Sequence, residues 1–376
     1  MNRILAIAGK ELLHIVRDPR TLIAVLAMPI LQLFLFSYAL SFDVKNIPTA
    51  VLDQDLTQAS RQFVDAFSES NYFTVTQRLS ALSQADGVFD RGEDRAVVIV
   101  RKGFAERVAA GETGEAAVLI DGSEPNAAQL GQAYATGLSR AFAGRVTAQA
   151  LLAQGIDPKQ QGGIVAHVRV WYNPEGRSAF YLIPGLIVVL IMTVTVQQTA
   201  NTLVREKENG TAEQLLVSPI RSIELMVGKL APWVGLAAID VVGITLIGLY
   251  LFGVPFRGDV ALYALASLLF ITGCLGFGLI VSARAESTEV ANLLAAILSI
   301  LPGFLLSDFI FPIRNMPVVI QFVTYLFPAR YFMAINRTLF LKGPGLSVLW
   351  PQFAGLAVYA AVALLVASIL YRRRVG

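Results

Sequence analysis

Cysteine, histidine and charged residues are scarce in this sequence. Its one cysteine, Cys274, lies in an apolar segment and excludes disulfide pairing within the chain. Its two histidines, His14 and His167, fall in segments of different character, so we expect no shared metal site. Only 15% of the 376 residues are charged, the formal net charge is +3, and no basic stripe supports nucleic-acid binding. Hydrophobic residues reach 55% and the mean hydropathy is +0.61, which indicates a membrane protein.

A phosphate-binding loop of the form G-x-x-x-x-G-K-[ST] is also missing. The chain therefore has no phosphate-cradling loop of its own. The glycine-rich stretch GCLGFG, residues 273–278, follows no predicted strand, so we interpret it as a site of close helix packing in lipid rather than as nucleotide-binding glycines.

Six apolar segments are long enough to cross a bilayer, which takes about 20 helical residues. We place them at 21–41, 179–200, 228–252, 260–282, 288–307 and 347–371. The first apolar run is longer than a signal-peptide core, so we expect it to be retained as an anchor. Lysine and arginine at the termini and in alternate short loops outnumber those in the opposite loops by more than two to one, which predicts that both termini are cytoplasmic.

The residues before the first span, 3–17, have an amphipathic helical pattern. Arg3, Lys10, His14 and Arg17 share a narrow arc, with apolar residues opposite. We expect a helix that lies along the membrane interface and ends at Asp18 and Pro19.

Residues 42–175 are polar and alternate between strand-like and helix-like patterns, which predicts a compact mixed α/β domain on the outer face. Strands are predicted at 48–53, 72–77, 95–100, 116–121 and 167–172, and helices at 57–69, 80–90, 103–110 and 126–154. Asp53 and Asp55 form a D-x-D pair that suits either a metal or sugar-nucleotide site or the capping of the next helix. Capping is favoured because no histidine, cysteine or further carboxylate accompanies the pair.

Two further segments depart from the pattern of simple spans. Residues 308–346 mix apolar residues with four prolines and four basic residues, and we predict a re-entrant region that enters the outer leaflet and returns. Residues 203–222 begin with the polar block LVREKENGTAEQLLVSPI. Here we predict a helix through Glu208, a left-handed stop at Asn209 and Gly210, and a capping box from Thr211 to Gln214. This corner is either a docking surface or an ordinary solvated helix end with an Arg205 and Glu208 pair.

The block REKENGTAEQLLVSPI resembles the cytoplasmic coupling segment of type-2 ABC exporter permeases, in the branch with a large external domain between the first two spans. That branch includes bacterial drug-efflux permeases. The resemblance extends over the whole chain, through KELLHIVRDPRT near the start, AVLDQDLTQASRQF after the first span and LLSDFIFPIRNMP before the last.

The resemblance implies a fold, a set of partners and a mechanism. The fold is an α-helical membrane protein with six transmembrane helices, an N-terminal amphipathic interfacial helix, a re-entrant region before the last helix and a mixed α/β periplasmic domain after the first span. Its parts are 1–41 (interfacial helix and first span), 42–175 (periplasmic domain) and 176–376 (the other spans). Two permease chains, identical or related, are expected to pair in the bacterial inner membrane. Each would bind a separate ATP-binding cassette subunit that holds ATP and Mg²⁺. The external domain would either bind a periplasmic adaptor or channel protein or take substrate from the outer leaflet.

The resemblance also assigns roles to residues, with drugs or other small amphipathic molecules as cargo. No cofactor, metal or catalytic residue is expected in this chain. The expected path for the cargo lies between the two chains, is gated near 304–332 and includes Phe304 and Asp308. Asp240 is added to this path only because a carboxylate lies in the middle of the third span, where the family pattern does not require an acid. The expected contacts with the ATP-binding subunit are Arg205, Glu206, Lys207, Glu208, Gly210, Thr211, Glu213 and Gln214, with Lys10, Glu11, Asp18 and Arg20 near the N-terminus.

Some alternatives remain open at this point. Asp240 lies near the middle of the third span, where it either binds a cationic substrate, carries a proton, or is buried and protonated against a neighbour. Two other functional classes compete with an exporter. One is a membrane enzyme acting on lipid-linked sugars through Asp53 and Asp55, and the other is a receptor or scaffold whose external domain binds a ligand.

Overall fold

The computed structural model describes residues 2–39, 46–123, 125–153, 155, 171–173, 177–208, 210 and 222–375. The chain divides into two compact units, one formed by Met1–Ser41 with Val170–Gly376 and the other by Phe42–Arg169.

Helices make up most of the described secondary structure. In chain order the elements are α1 (Asn2–Arg17), α2 (Pro19–Ala39), β1 (Ile47–Asp53), α3 (Gln58–Ser68), β2 (Phe73–Arg78), α4 (Ser83–Asp90), β3 (Ala96–Val100), α5 (Phe104–Ala109), β4 (Ala116–Ile120), α6 (Pro125–Ala153), α7 (Ala179–Glu208), α8 (Ser222–Tyr250), α9 (Val260–Arg284), α10 (Thr288–Leu305), a 3-10 turn (Ile313–Asn315), α11 (Val318–Thr324), α12 (Pro328–Leu341) and α13 (Leu346–Val375).

Six of the described helices are long and apolar enough to cross a membrane. Their apolar parts are Leu22–Ala39, Ala179–Thr202, Glu224–Tyr250, Val260–Arg284, Thr288–Leu305 and Leu346–Leu370. These segments overlap the six predicted spans. A bent pair of helices, Val318–Thr324 with Pro328–Leu341, adds a seventh if the pair crosses as one span.

The unit formed by Met1–Ser41 and Val170–Gly376 contains the candidate spans and is called the membrane unit. Helix α7 forms its centre. It packs against α2, α8, α9, α10 and α12, and 78% of its span is buried compared with 28% of the span in α13. A helix that is apolar on all sides, as α7 is, suits a position surrounded by other helices. The other spans keep an apolar side for lipid or for another chain.

The glycines of residues 273–278 bring α9 close to two neighbours. A Cβ at Gly276 would lie 3.0 Å from the Cβ of Ala363 on α13, and one at Gly278 would lie 1.9 Å from Thr199 Oγ1 on α7. Both positions therefore require the absence of a side chain. The interpretation of these glycines as helix-packing residues is confirmed.

The predicted amphipathic helix is present as α1, and it ends at Arg17 directly before Asp18 and Pro19. It packs on α8, where Gly228 leaves room for Ile7, and Ile15 is buried. Leu5 remains exposed, as do three further apolar residues, Leu12, Leu13 and Val16. The helix therefore keeps an apolar surface exposed while it contacts the bundle, and its position along a membrane interface stays a prediction.

The region 308–346 contains two short helices, α11 and α12, which meet at an angle of 84°. A broken span and a re-entrant loop share this geometry, so re-entry stays a prediction. Asp308 has a left-handed backbone with φ of 74°, and Arg337 on α12 donates hydrogen bonds to the carbonyl oxygens of Asp308 and Phe309 at 2.5 and 3.1 Å. Asn336 donates to the carbonyl of Pro184 on α7. Polar groups of α12 thus anchor the irregular segment against the centre of the bundle.

The second unit contains a four-stranded mixed sheet with the order β2-β1-β3-β4. Strand β1 is parallel to β2 and β3, whereas β4 is antiparallel to β3. The alternating patterns therefore predicted the first four strands and the four helices of this unit correctly. The fifth predicted strand, 167–172, lies mostly outside the described residues, and Trp171 and Tyr172 at its end are not in a strand.

The D-x-D pair accepts hydrogen bonds from backbone amides. Asp53 Oδ1 accepts hydrogen bonds from the backbone amides of Asp55 and Leu56, and Asp55 accepts from the amides of Gly103 and Ala105 at the start of α5. A hydrogen bond from Thr57 is the main cause that lowers the pKa of Asp55. No group of three histidine, cysteine or acidic residues that suits a metal ion occurs among the described residues. The next helix, α3, is itself capped by Thr57 in a capping box with Ser60, so the prediction that the aspartate pair caps it is wrong. Asp53 instead shapes the turn before α3, and Asp55 bonds the start of α5.

Candidate functional site

The end of α7 is linked to the start of α10 by two polar contacts. The carboxylate of Glu208 accepts hydrogen bonds from the backbone amide and the hydroxyl of Thr288 at 2.8 and 2.5 Å. One turn further into the bundle on α10, Asn292 accepts a hydrogen bond from the side-chain amide of Asn201 at 2.7 Å. The Thr288 hydroxyl is the main cause that lowers the pKa of Glu208. A carboxylate at the start of α10 also interacts favourably with the helix dipole.

This end of the bundle also holds α1, because α1 packs on the first turns of α8. The opposite end is identified by Arg177, which precedes α7 and donates a hydrogen bond to the carbonyl of Phe252 beyond α8. There the amide of Arg257 also bonds the carbonyl of Leu339 on α12. The end of α7, where the predicted coupling segment begins, and the region 308–346 therefore lie at opposite ends of the membrane unit.

The predicted contacts with an ATP-binding subunit fall at the end that carries α1. Arg205 is exposed on α7, Lys10 is exposed and Glu11 is half-buried on α1. Gly210 has a φ of +66°, as the predicted left-handed stop requires. Asp18 lies between α1 and α2.

Other predicted contacts lie partly or wholly outside the described residues. Glu206 and Lys207 belong to α7, and Arg20 belongs to α2, but their side chains are outside the described part. Thr211, Glu213 and Gln214 lie outside it altogether, together with the capping box predicted there.

Glu208 makes a contact that sequence reasoning did not predict. Its carboxylate bonds Thr288 within the same chain, and its predicted contact with an ATP-binding subunit stays a prediction. Sequence reasoning missed Thr288, Asn292 and Asn201. The Ser287-Thr288 pair before an apolar run is a recognisable helix start, but nothing local marks Glu208 as its partner.

Asp240 lies inside the membrane unit and faces a small cavity. It is 3% exposed, and its Oδ2 has no hydrogen-bond partner among the described residues. The cavity has a volume of about 10 Å³ and is lined by Val25, Val194, Thr195, Gln198, Trp233, Leu236, Ala237, Asp240 and Leu275. Within the described part, the Thr195 hydroxyl and the Trp233 indole N–H are also buried without a partner. Three unsatisfied polar atoms therefore belong to side chains around a space of about one water molecule.

The structure does not bring the three predicted pathway residues together. Phe304 packs its ring against Phe36 and Phe309, with centroids 5.6 and 5.5 Å apart. Asp308 accepts a hydrogen bond from the amide of Ile313 and lies 3.7 Å from the guanidinium of Arg337. Neither Phe304 nor Asp308 lines the cavity at Asp240.

Comparison with known families decides the class of the protein. The family described as "ABC-2 family transporter protein" matches residues 19–369. This chain belongs to the ABC-2 transporter family. The permease is thus a multi-pass membrane transporter subunit and not an enzyme, and the predicted resemblance is confirmed.

Individual relatives cover the permease almost from end to end. "Probable multidrug ABC transporter permease YbhS" of Escherichia coli is 33% identical over 348 residues, which cover 91% of this chain and 89% of the relative. "Probable multidrug ABC transporter permease YbhR" of the same organism is 28% identical over 377 residues, covering 100% and 99%. "Linearmycin resistance permease protein LnrN" of Bacillus subtilis is 24% identical, covering 89% and 90%.

Proposed function

We propose that this permease is the membrane-spanning subunit of an ATP-driven exporter of drugs or other small amphipathic molecules. Two permease chains pair, and each binds a separate ATP-binding cassette subunit that supplies ATP and Mg²⁺. Family membership and relatives named as multidrug permeases support this proposal. The missing phosphate-binding loop in this chain agrees with ATP hydrolysis by a partner.

The observation that carries the proposal is the continuity of α7 with its contact to α10. Helix α7 runs without a break from Ala179 through the centre of the bundle to Glu208, where it bonds Thr288. A force applied near Arg205 therefore moves α7 and α10 together. In this arrangement Glu208 positions α10, and the exposed Arg205, Lys10 and the polar segment that follows α7 contact the ATP-binding subunit.

The same arrangement implies an orientation. The end that carries α1 and the predicted coupling segment is cytoplasmic in a bacterial inner membrane, and both termini lie on that side. The second unit is then periplasmic, where an adaptor protein is able to bind it, and region 308–346 lies at the outer surface. The excess of basic residues at the termini and in alternate loops supports this orientation.

Asp240 takes part in this proposal as a proton carrier and not as a cation-binding residue for cargo. A cavity of about 10 Å³ holds one water molecule and no drug. No cationic side chain among the described residues lines that cavity, and an unpaired carboxylate in such a place is stabilised in its uncharged form. A water molecule between Asp240 and Thr195 forms hydrogen bonds with both side chains. The same water molecule accepts the proton that Asp240 releases.

Site-specific crosslinking tests the docking claim. The native Cys274 is fully buried and needs no replacement. Arg205→Cys places a thiol at the proposed docking end, and Leu251→Cys, equally exposed but beyond the far end of α8, is the matched control. With a benzophenone maleimide, whose maleimide adds to the new thiol and whose ketone inserts into a nearby C–H bond on illumination, we expect a covalent product with the co-expressed ATP-binding subunit from the Arg205→Cys permease alone. Equal yields from both variants, or a product only from Leu251→Cys, would overturn the proposal.

A further inference from the structure

The second unit contains a large cleft that export and its coupling do not explain. It has a volume of about 750 Å³ and lies between α6 on one side and β4, the end of α5 and the loop 111–114 on the other. Pockets that hold drug-sized molecules occupy about 300–1,000 Å³. The cleft therefore has the capacity for a single organic ligand.

Aromatic rings form the floor of the cleft. Phe63, Phe104 and Phe142 all line it and are more than nine-tenths buried. The Phe63 and Phe142 rings meet edge to face with centroids 5.2 Å apart, and Phe104 lies 5.8 Å from Phe63. Strand β4 adds Val118 and Ile120, which alternate along one face of the sheet. This floor favours an apolar, ring-containing ligand.

The loop on the far side of the cleft has a constrained backbone. Gly111 has a φ of +77°, and a Cβ at Gly114 would lie 2.6 Å from Val108 and 3.1 Å from Phe104. Residues with side chains would be strained at both positions. The absence of a side chain at Gly114 therefore lets the loop lie close to Phe104 on the floor of the cleft.

Polar groups lie along one rim. Gln132, Thr136, Ser139 and Arg140 follow one another on the face of α6 that lines the cleft. Arg140 makes no ion pair or hydrogen bond with the described residues, so its charge is available to a ligand. Glu112 lies on the facing loop. The positive charge of Arg140 thus stabilises an anionic group of a ligand on the α6 side of the cleft, and the negative charge of Glu112 repels it from the loop.

We propose that this cleft binds a drug-sized amphipathic anion, with its rings on Phe104 and Phe142 and its acidic group at Arg140. The proposal goes beyond export, because binding at this cleft requires neither ATP nor a partner subunit.

Two matched probes test the proposal on the full permease in lipid nanodiscs. They are 1-anilinonaphthalene-8-sulfonate and N-phenyl-1-naphthylamine, which share their rings and differ in the sulfonate. Fluorescence titrations, corrected with empty nanodiscs, give the affinity of each. We expect saturable binding of both probes and tighter binding of the sulfonate.

Variants on α6 supply the controls. Ala143 lines the cleft, whereas Ala141 is equally exposed on the same helix and does not line it. Ala143→Leu should weaken both probes by about tenfold or more, since it fills part of the site, and Ala141→Leu should leave both unchanged. Arg140→Gln should weaken only the sulfonate, by about fivefold, with Lys102→Gln, an exposed lysine outside the cleft, as its control.

Three results would overturn the proposal. One is equal weakening by Ala143→Leu and Ala141→Leu, and another is an Arg140→Gln effect of the same size on both probes. The third is the lack of saturable binding above empty nanodiscs. None of these results bears on docking of the ATP-binding subunit, so failure here is distinguishable from failure of the proposed export function.

Discussion

Replacing Gly278 with alanine tests the packing of α9 against α7. The added Cβ would lie 1.9 Å from Thr199 Oγ1 and 2.7 Å from the carbonyl oxygen of Val196. Both distances are far shorter than a carbon atom tolerates, so the two helices must move apart. Since α7 contacts five other helices, that movement disturbs the whole bundle.

The expected loss of stability follows from two opposing effects. Overpacking a close-packed interior costs about 1–3 kcal/mol, and the upper end applies because Val196 O belongs to the main chain and cannot rotate away. Alanine is the better helix former by about 1 kcal/mol. The net loss for Gly278→Ala is therefore about 2 kcal/mol. At Gly243 on α8 a Cβ has no neighbour within 4 Å, so Gly243→Ala should gain up to about 1 kcal/mol.

Thermal unfolding of the purified permease in one detergent measures the difference. With about 2–4 °C per kcal/mol for a cooperative unit of about 150–250 residues, the size range of the unit formed by Met1–Ser41 and Val170–Gly376, Gly278→Ala should melt about 6–12 °C below Gly243→Ala. Adding Thr199→Ala to Gly278→Ala should recover part of the loss, because it removes the nearer of the two oxygen atoms. Equal melting temperatures for the two alanine variants would refute the inferred contact between α7 and α9.

Three other predictions concern polar contacts. Glu208→Ala and Thr288→Val should each lower ATP-dependent transport in proteoliposomes by about two- to fivefold without loss of the ATP-binding subunit. The transport rate of the double variant should be no lower than that of either single variant. Additive losses of transport would contradict a contact shared by the two residues. Asp240→Asn should change the transport rate and remove the dependence of that rate on pH, because no other titratable side chain among the described residues lines the cavity at Asp240. An unchanged rate for cationic and neutral compounds at several pH values would exclude a role of Asp240 in transport. Asp55 has a folded pKa below its ordinary 3.8, so its stabilising contribution is complete above that pH and is lost as the pH falls through the folded value. Limited proteolysis of the second unit from pH 5 to pH 2.5 should therefore show an acid-dependent loss of protection that Asp55→Asn lacks, and identical profiles would contradict a role of Asp55 in holding the start of α5.

Several contacts were beyond sequence reasoning because they join distant parts of the chain. Glu208 and Thr288 are separated by 80 residues, and neither period nor motif relates them. The sequence of the D-x-D pair suited two interpretations. Only the structure showed that Asp55 accepts a hydrogen bond from the amide of Gly103, 48 residues away. In both cases a charged side chain indicated that it needs a partner, and the sequence pattern did not identify that partner.

The amino-acid sequence by itself determined the class of protein, the six spans, the interfacial helix and the first four strands. Each of these depends on local periodicity and on the length of apolar runs, which neighbouring residues specify. Only the tertiary structure decided that α7 is central, that Glu208 bonds Thr288, that Asp240 faces an interior cavity and that a cleft of about 750 Å³ opens beside α6. Those features depend on which helix faces meet, and an apolar helix surface looks the same in sequence whether it meets lipid, a neighbouring helix or a cavity.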